Sequence, residues 1–197
     1  MMKLEFIYSE EFEVKRVKQT INDSDWFKQF NYKIFFPEGF NLDSKDLSNL
    51  KSQVEKEMDP KRIWMIEQEI VKNWTINTKL IKLLLDSVPN KISESLVVTF
   101  SQYGTGGSYW LPNRVYININ SSRLDYSETL FHELVHLFIE KPIIQKYKLE
   151  HGSKEALIDY IMTHNQYIKK MFPDYKIQKV FSNQLPDKEI LNKLSWV

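Results

Sequence analysis

The chain has no cysteine, which excludes disulfide staples and thiolate metal sites, so any transition metal it holds must be bound by imidazole and carboxylate. Five glycines and seven prolines in 197 residues are too few for a low-complexity or disordered tract. No charge of one sign prevails: 27 basic residues stand against 26 acidic ones, and no sustained basic block exists to collect phosphates, which argues against nucleic acid as a partner. Long apolar runs are missing too. The first residues, Met1 to Glu10, lack the uninterrupted apolar stretch of a secretory signal, and no later window approaches a membrane span. The expectation is a soluble chain located in the cytoplasm, with no membrane partner.

Hydrophobic residues at 42% and aromatics at 14% are enough to build a core. No internal repeat, biased segment or convincing linker interrupts the chain, so a single domain over 1–197 is expected, with an N-terminal α+β and helical part over 1–90 and a core over 91–197.

Alternating apolar residues over 2–8 and 12–17 predict a two-stranded element. A short helix from Asp23–Asp25 to Phe30 and a strand over Tyr32–Phe36 follow, the latter stopped by Pro37 and Gly39. A polar helix is expected over Asp43–Met58. A longer one opens at Pro60 and runs to about Val88, with Ile63, Ile66, Ile70, Trp74, Ile81 and Leu84 at helical spacing and Pro89–Asn90 as its stop. Strands are expected over Leu96–Tyr103, Ser108–Leu111 and Arg114–Asn120, around the loop Gly104–Gly107. Asp125 and Glu128 have the spacing of a capping box, so a helix should begin there and run to Ile139, near Pro142. Ser153 can cap a helix through Thr163; a further one spans His164–Met171, and a last one follows Pro186.

The capped helix contains His132-Glu133-Leu134-Val135-His136. Residues four apart are separated by about one turn, so both imidazoles leave one face and can grip a single ion. Glu133 lies one position around, beside that ion, which suits a general base acting on water. Leu130, Phe131, Leu134, Val135, Leu137, Phe138 and Ile139 make the helix apolar nearly all round, so it should be buried, and buried imidazoles need partners that a metal supplies. The bland alternative is an amphipathic helix whose two histidines are merely packed. A catalytic zinc site takes three protein ligands, so a third must come from elsewhere. Metzincins are excluded, because Ile139 and Pro142 stand where their longer motif needs Gly and His.

With His132, Glu133 and His136 on one helix, and Glu155 and Asp159 four apart on the next, the chain resembles the gluzincins, the thermolysin-like zinc metallopeptidases. The resemblance covers about residues 106–160 and rests on those five. It implies Glu155 as third ligand of one zinc ion, and Asp159 as acceptor of the outer N–H of a ligand imidazole, His132 first among them. His151, assigned to the loop before Gly152, and His164 are rival third ligands. The resemblance further implies an edge strand along which a peptide adds by main-chain hydrogen bonds; the candidate is Gly106–Leu111, with Gly107, Tyr109 and Trp110 as substrate contacts, and a plain hairpin is the alternative. Only 61 residues follow His136, so the large helical lobe of the thermolysin family should be reduced, as in compact gluzincins. Its oxyanion-stabilising histidine then has no counterpart, which leaves Tyr160, His164 and Tyr167 as candidates by sequence proximity.

The implied fold is α+β and zincin-like, a small mixed sheet packed on the active-site helix and followed by a helical C-terminal subdomain. The implied function is zinc-dependent hydrolysis of peptide bonds in a peptide or protein substrate. The alternatives are a zinc-binding regulatory or interaction module with little turnover and a metal-free interaction domain. Repressor-cleaving metallopeptidases fit less well, since their signature needs Ala and Asn at Ile158 and Asp159.

Overall fold

The computed structural model describes residues 2–42, 47–88, 94–121 and 124–197. Among them lie four strands and nine helices: β1 (Lys3–Ile7), α1 (Glu10–Asn22), α2 (Ser24–Gln29), α3 (Leu50–Glu57), α4 (Pro60–Ile76), α5 (Thr78–Ser87), β2 (Ser95–Ser101), β3 (Gly107–Trp110), β4 (Arg114–Asn118), α6 (Tyr126–Ile139), α7 (His151–His164), α8 (Gln166–Met171) and α9 (Lys188–Leu191). A π-helical turn, Glu140–Gln145, follows α6. The architecture is mixed α and β around one small sheet.

The strand order is β1-β2-β4-β3. β1 and β4 flank β2 in parallel, with Leu4 opposite Leu96 and Val98 opposite Val115, while β3 returns antiparallel along β4 and forms one edge. Leu96, Val98, Phe100, Val115 and Ile117 are wholly buried, so the alternation in β2 and β4 supplies one apolar face to the core.

Helix α6 lies against that sheet, contacting β3 and β4 as well as α4 and α7. Its start follows from its capping box: the Asp125 carboxylate accepts from the Glu128 amide at 2.6 Å, and the Asp125 amide donates to Glu128 Oε2 at 3.3 Å. Every residue from Thr129 to Ile139 is buried, as expected of a helix without a polar face. Pro142 lacks the amide that regular helical bonding needs, and the chain widens into the π-helical turn around it.

Several sequence expectations are corrected. Residues 12–17 belong to helix α1, not to a strand: Val14, Val17 and Ile21 recur at helical spacing, and the Ser9 hydroxyl caps the helix by accepting from the Phe12 amide. β1 pairs instead with the distant β2, a partner that no local pattern reveals. The stretch Tyr32–Phe36 forms a single bridge, Phe35 to Gly104, in place of a strand. The helix opened by Pro60 breaks at Asn77, whose side chain donates back to the Asn73 carbonyl, so α4 and α5 are separate although their apolar spacing runs on. The polar helix expected from Asp43 begins at Leu50; residues 43–46 and the stop at Pro89–Asn90 lie outside the described residues. Helix α7 starts at His151, after Glu150, which places Ser153 inside it. The terminal helix is one short turn, α9.

A second, smaller core joins Val17, Ile21, Leu50, Val54 and Tyr103. Glu13, fully buried, ties α1 to the end of β2 by accepting from Ser101 Oγ at 2.5 Å and the Gln102 amide at 2.8 Å. Burial, above all, pushes its carboxyl up to about 7. Among the described residues, no helix is long and apolar enough to cross a membrane.

Candidate metal site

Helix α6 packs on the sheet and on α7, and its turns next to α7 carry His132 and His136. Their ring centroids are 5.1 Å apart on successive turns. Glu155, on the second turn of α7, meets both: His132 Nε2 lies 3.3 Å from Glu155 Oε2, and His136 Nε2 lies 3.4 Å from Glu155 Oε1. One ligand atom from each residue falls within 4.8 Å of the others, and all three residues are buried. Two imidazole nitrogens and one carboxylate oxygen, with no thiolate, form a donor set that fits a single zinc ion and leaves a further coordination position.

The protonation states suit that role. Burial pushes His136 down to about 3, against the opposing pull of Glu155, so its ring is neutral. Burial alone would raise Glu155, but the imidazoles of His136 and His132 outweigh it and hold the carboxyl well below its usual range. Neutral imidazole and ionised carboxylate are the forms that bind a metal.

The expected support of His132 by Asp159 takes a different form. His132 Nδ1 and Asp159 Oδ1 are 3.9 Å apart, too far for a hydrogen bond. The Tyr175 hydroxyl stands between them, 2.7 Å from His132 Nδ1 and donating to Asp159 Oδ1 at 2.7 Å. Because the tyrosine proton goes to Asp159, its oxygen accepts from His132 Nδ1–H, and Nε2 is the ring nitrogen that faces Glu155. The Gln178 amide donates to the other oxygen of Asp159 at 2.5 Å, and the Gln178 side chain donates to Glu155 Oε2 at 3.0 Å. The segment after α8 thus fastens both carboxylates. His136 has no such support: its Nδ1 has no hydrogen-bond partner among the described residues, and its ring stacks on Tyr109, centroids 4.6 Å apart.

The site opens into a cleft of about 660 Å³ that runs along β3. Glu133, His132, His136 and Glu155 line it on one side, and Thr105 to Trp110 on another. Gly107 faces Glu133 so closely that a Cβ there would collide with the carboxylate, so the absence of a side chain lets Glu133 lie against the strand. Tyr109 sits over His136 and donates to Glu140 at 2.5 Å; burial and that carboxylate raise its phenol. Trp110 lines the cleft too, with its ring 4.1 Å from that of Tyr116.

His151 is not the loop histidine the sequence suggested. It opens α7, lines the cleft, and puts Nδ1 3.8 Å from Glu155 Oε1 while Nε2 meets the Tyr32 hydroxyl at 2.8 Å. Trp26, Phe30 and Phe181 pack around its ring. Tyr160, His164 and Tyr167 are absent from the cleft lining: Tyr160 and His164 stack on each other, and Tyr167 packs on the core. Sequence reasoning missed Tyr175, Gln178 and the aromatic wall from α2, since each reaches the site from a distant segment without a local motif. A protein-family comparison, a search of curated proteins and a search of solved structures each give no match.

Proposed function

We propose that this protein is a zinc metallopeptidase of compact gluzincin type, with His132, His136 and Glu155 as zinc ligands and Glu133 as the general base. On this reading the sheet packed on α6, with helices α7 and α8 after it, is a zincin-like arrangement. The observation that carries the proposal is the convergence of two buried imidazoles and a carboxylate beside Glu133, in a cleft bordered by an edge strand.

A zinc ion held there supplies Lewis acidity to a water and to the scissile carbonyl. The protein's own part is positional and protolytic. The outer main-chain edge of β3 offers an extended peptide a register for hydrogen bonding, which carries its carbonyl past Glu133. Glu133 takes a proton from the attacking water, the resulting hydroxide adds to the carbonyl carbon, the C–N bond breaks, and Glu133 returns the proton to the leaving amine nitrogen. The Tyr175 relay holds His132 in the tautomer that this requires.

The test is cleavage of an unbiased peptide library, read by mass spectrometry, with zinc measured on the same sample. The zinc-loaded wild type should cut, and Glu133→Gln should retain zinc and lose cleavage by several orders of magnitude. Bound zinc without any cleavage would favour a zinc-dependent binding module, and absence of zinc a metal-free interaction domain.

A further inference from the structure

Helix α1 puts one cation into the cleft. Arg16 is only 5% exposed, and it lines the cleft together with Glu133. Among the described residues its guanidinium has no ion pair, and its Nε is buried without a hydrogen-bond partner. Aromatic rings hold it instead: the guanidinium carbon lies 5.7 Å from the ring centroids of both Trp110 and Tyr116. Burial works against its charge, while Tyr116, Glu133, Asp23 and Glu13 favour it from beyond ion-pairing distance. Lys33 and Lys154, the other cations of the lining, lie over the rings of Phe35 and Tyr109.

A buried cation without a contacting anion is costly, and such groups persist where something compensates them. The Nε side of the guanidinium lies against Gly104, and a planar guanidinium held over rings keeps its terminal N–H groups for a planar acceptor, the geometry that matches a carboxylate. We propose that Arg16 anchors a carboxylate of the molecule that occupies the cleft, so that the site selects peptides carrying a negative charge near the bond presented to Glu133. This deepens the metallopeptidase reading and rests on it only for the occupant being a peptide. The carboxylate has two possible sources, the free C-terminus or an acidic side chain.

The experiment uses paired probes and equilibrium binding. Acetyl-Phe-Phe is compared with its C-terminal amide, and acetyl-Phe-Glu-amide with acetyl-Phe-Gln-amide, the phenylalanine being chosen for the aromatic wall of Trp26, Phe30 and Phe181. The protein is the Glu133→Gln form as purified, zinc content measured, and the same sample after chelation. One charged probe should bind about ten- to a hundredfold tighter than its neutral twin. The pair that shows the preference identifies the source. Adding Arg16→Gln should erase it, and chelation should leave it intact, which separates this proposal from the presence of zinc. If Arg16→Gln fails to melt as a folded protein, Arg16→Lys takes its place and should lose most of the preference while binding the neutral probe as before. Equal affinities within both pairs, no binding of any probe, a preference untouched by the Arg16 change, or a preference that disappears with the metal would each overturn the proposal.

Discussion

Tyr175→Phe removes one oxygen atom and separates the role of the relay from that of the ligands. In the native site the hydroxyl accepts from His132 Nδ1 and donates to Asp159, each at 2.7 Å. Without it the two groups face each other across 3.9 Å, and neither can reach the other. Phenylalanine fills the same volume apart from the hydroxyl, so packing is preserved and the loss is polar. Each buried group left unsatisfied costs about 1–3 kcal/mol, part of which falls on folding. In a chain of this size, 1 kcal/mol corresponds to roughly 2–4 °C in Tm. The remainder falls on the metal, since His132 is no longer held in one tautomer; loss of such support weakens metal binding by about ten- to a hundredfold. The assay is competition for zinc with a chromophoric chelator, beside a thermal melt of the metal-free protein. Tyr160→Phe, away from the cleft, is the control and should change neither quantity. Zinc affinity within about twofold of the wild type, together with an unchanged melt, would show that the relay does not hold His132.

Gly107→Ala places a methyl group where the Glu133 carboxylate lies, so turnover should fall by on the order of ten- to a hundredfold with zinc content unchanged, read from initial rates and metal analysis. Glu13 gives a pH signature. Its carboxyl is raised from 4.5 to about 7, so between those values the folded state keeps a proton that the unfolded chain has released. Stability from this group therefore falls as pH rises through that window, by on the order of 3 kcal/mol at most. Glu13→Gln should flatten the decline in urea midpoint between pH 5 and pH 8, and an identical decline in both proteins would contradict the assignment. Leu134→Ala opens a cavity in the core side of α6 and should cost about 2–5 kcal/mol in urea unfolding, with one zinc still bound at low temperature.

What was legible in the sequence were the features written in local spacing. The capping box of Asp125 and Glu128 and the one-turn separation of His132 and His136 depend on helical geometry over a few residues, and the fold realises them; the approach of Glu155 from the next helix was implied only by the resemblance to the gluzincins. An edge strand at Gly106–Leu111 was implied by the resemblance rather than by local pattern, and β3 does lie at the edge of the sheet. Features that depend on long-range pairing were not legible. β1 finds its partner far along the chain, Tyr175 and Gln178 reach the carboxylates from an irregular segment, and α2 supplies an aromatic wall with no motif to announce it. Short alternating stretches misled at residues 12–17 because two turns of an amphipathic helix and a brief strand share the same apolar positions. His151 was misplaced for a related reason: α7 begins two residues before Ser153, at His151 itself, whose imidazole lines the cleft.

The account depends most on three side chains holding one ion together. Zinc retained per chain after loading and gel filtration, measured by mass spectrometry on the wild type and on His132→Ala, His136→Ala and Glu155→Ala, tests this directly. The expected result is about one zinc in the wild type and close to none in each variant, with all four proteins folded by circular dichroism. Full zinc content in any folded variant would contradict the site as described.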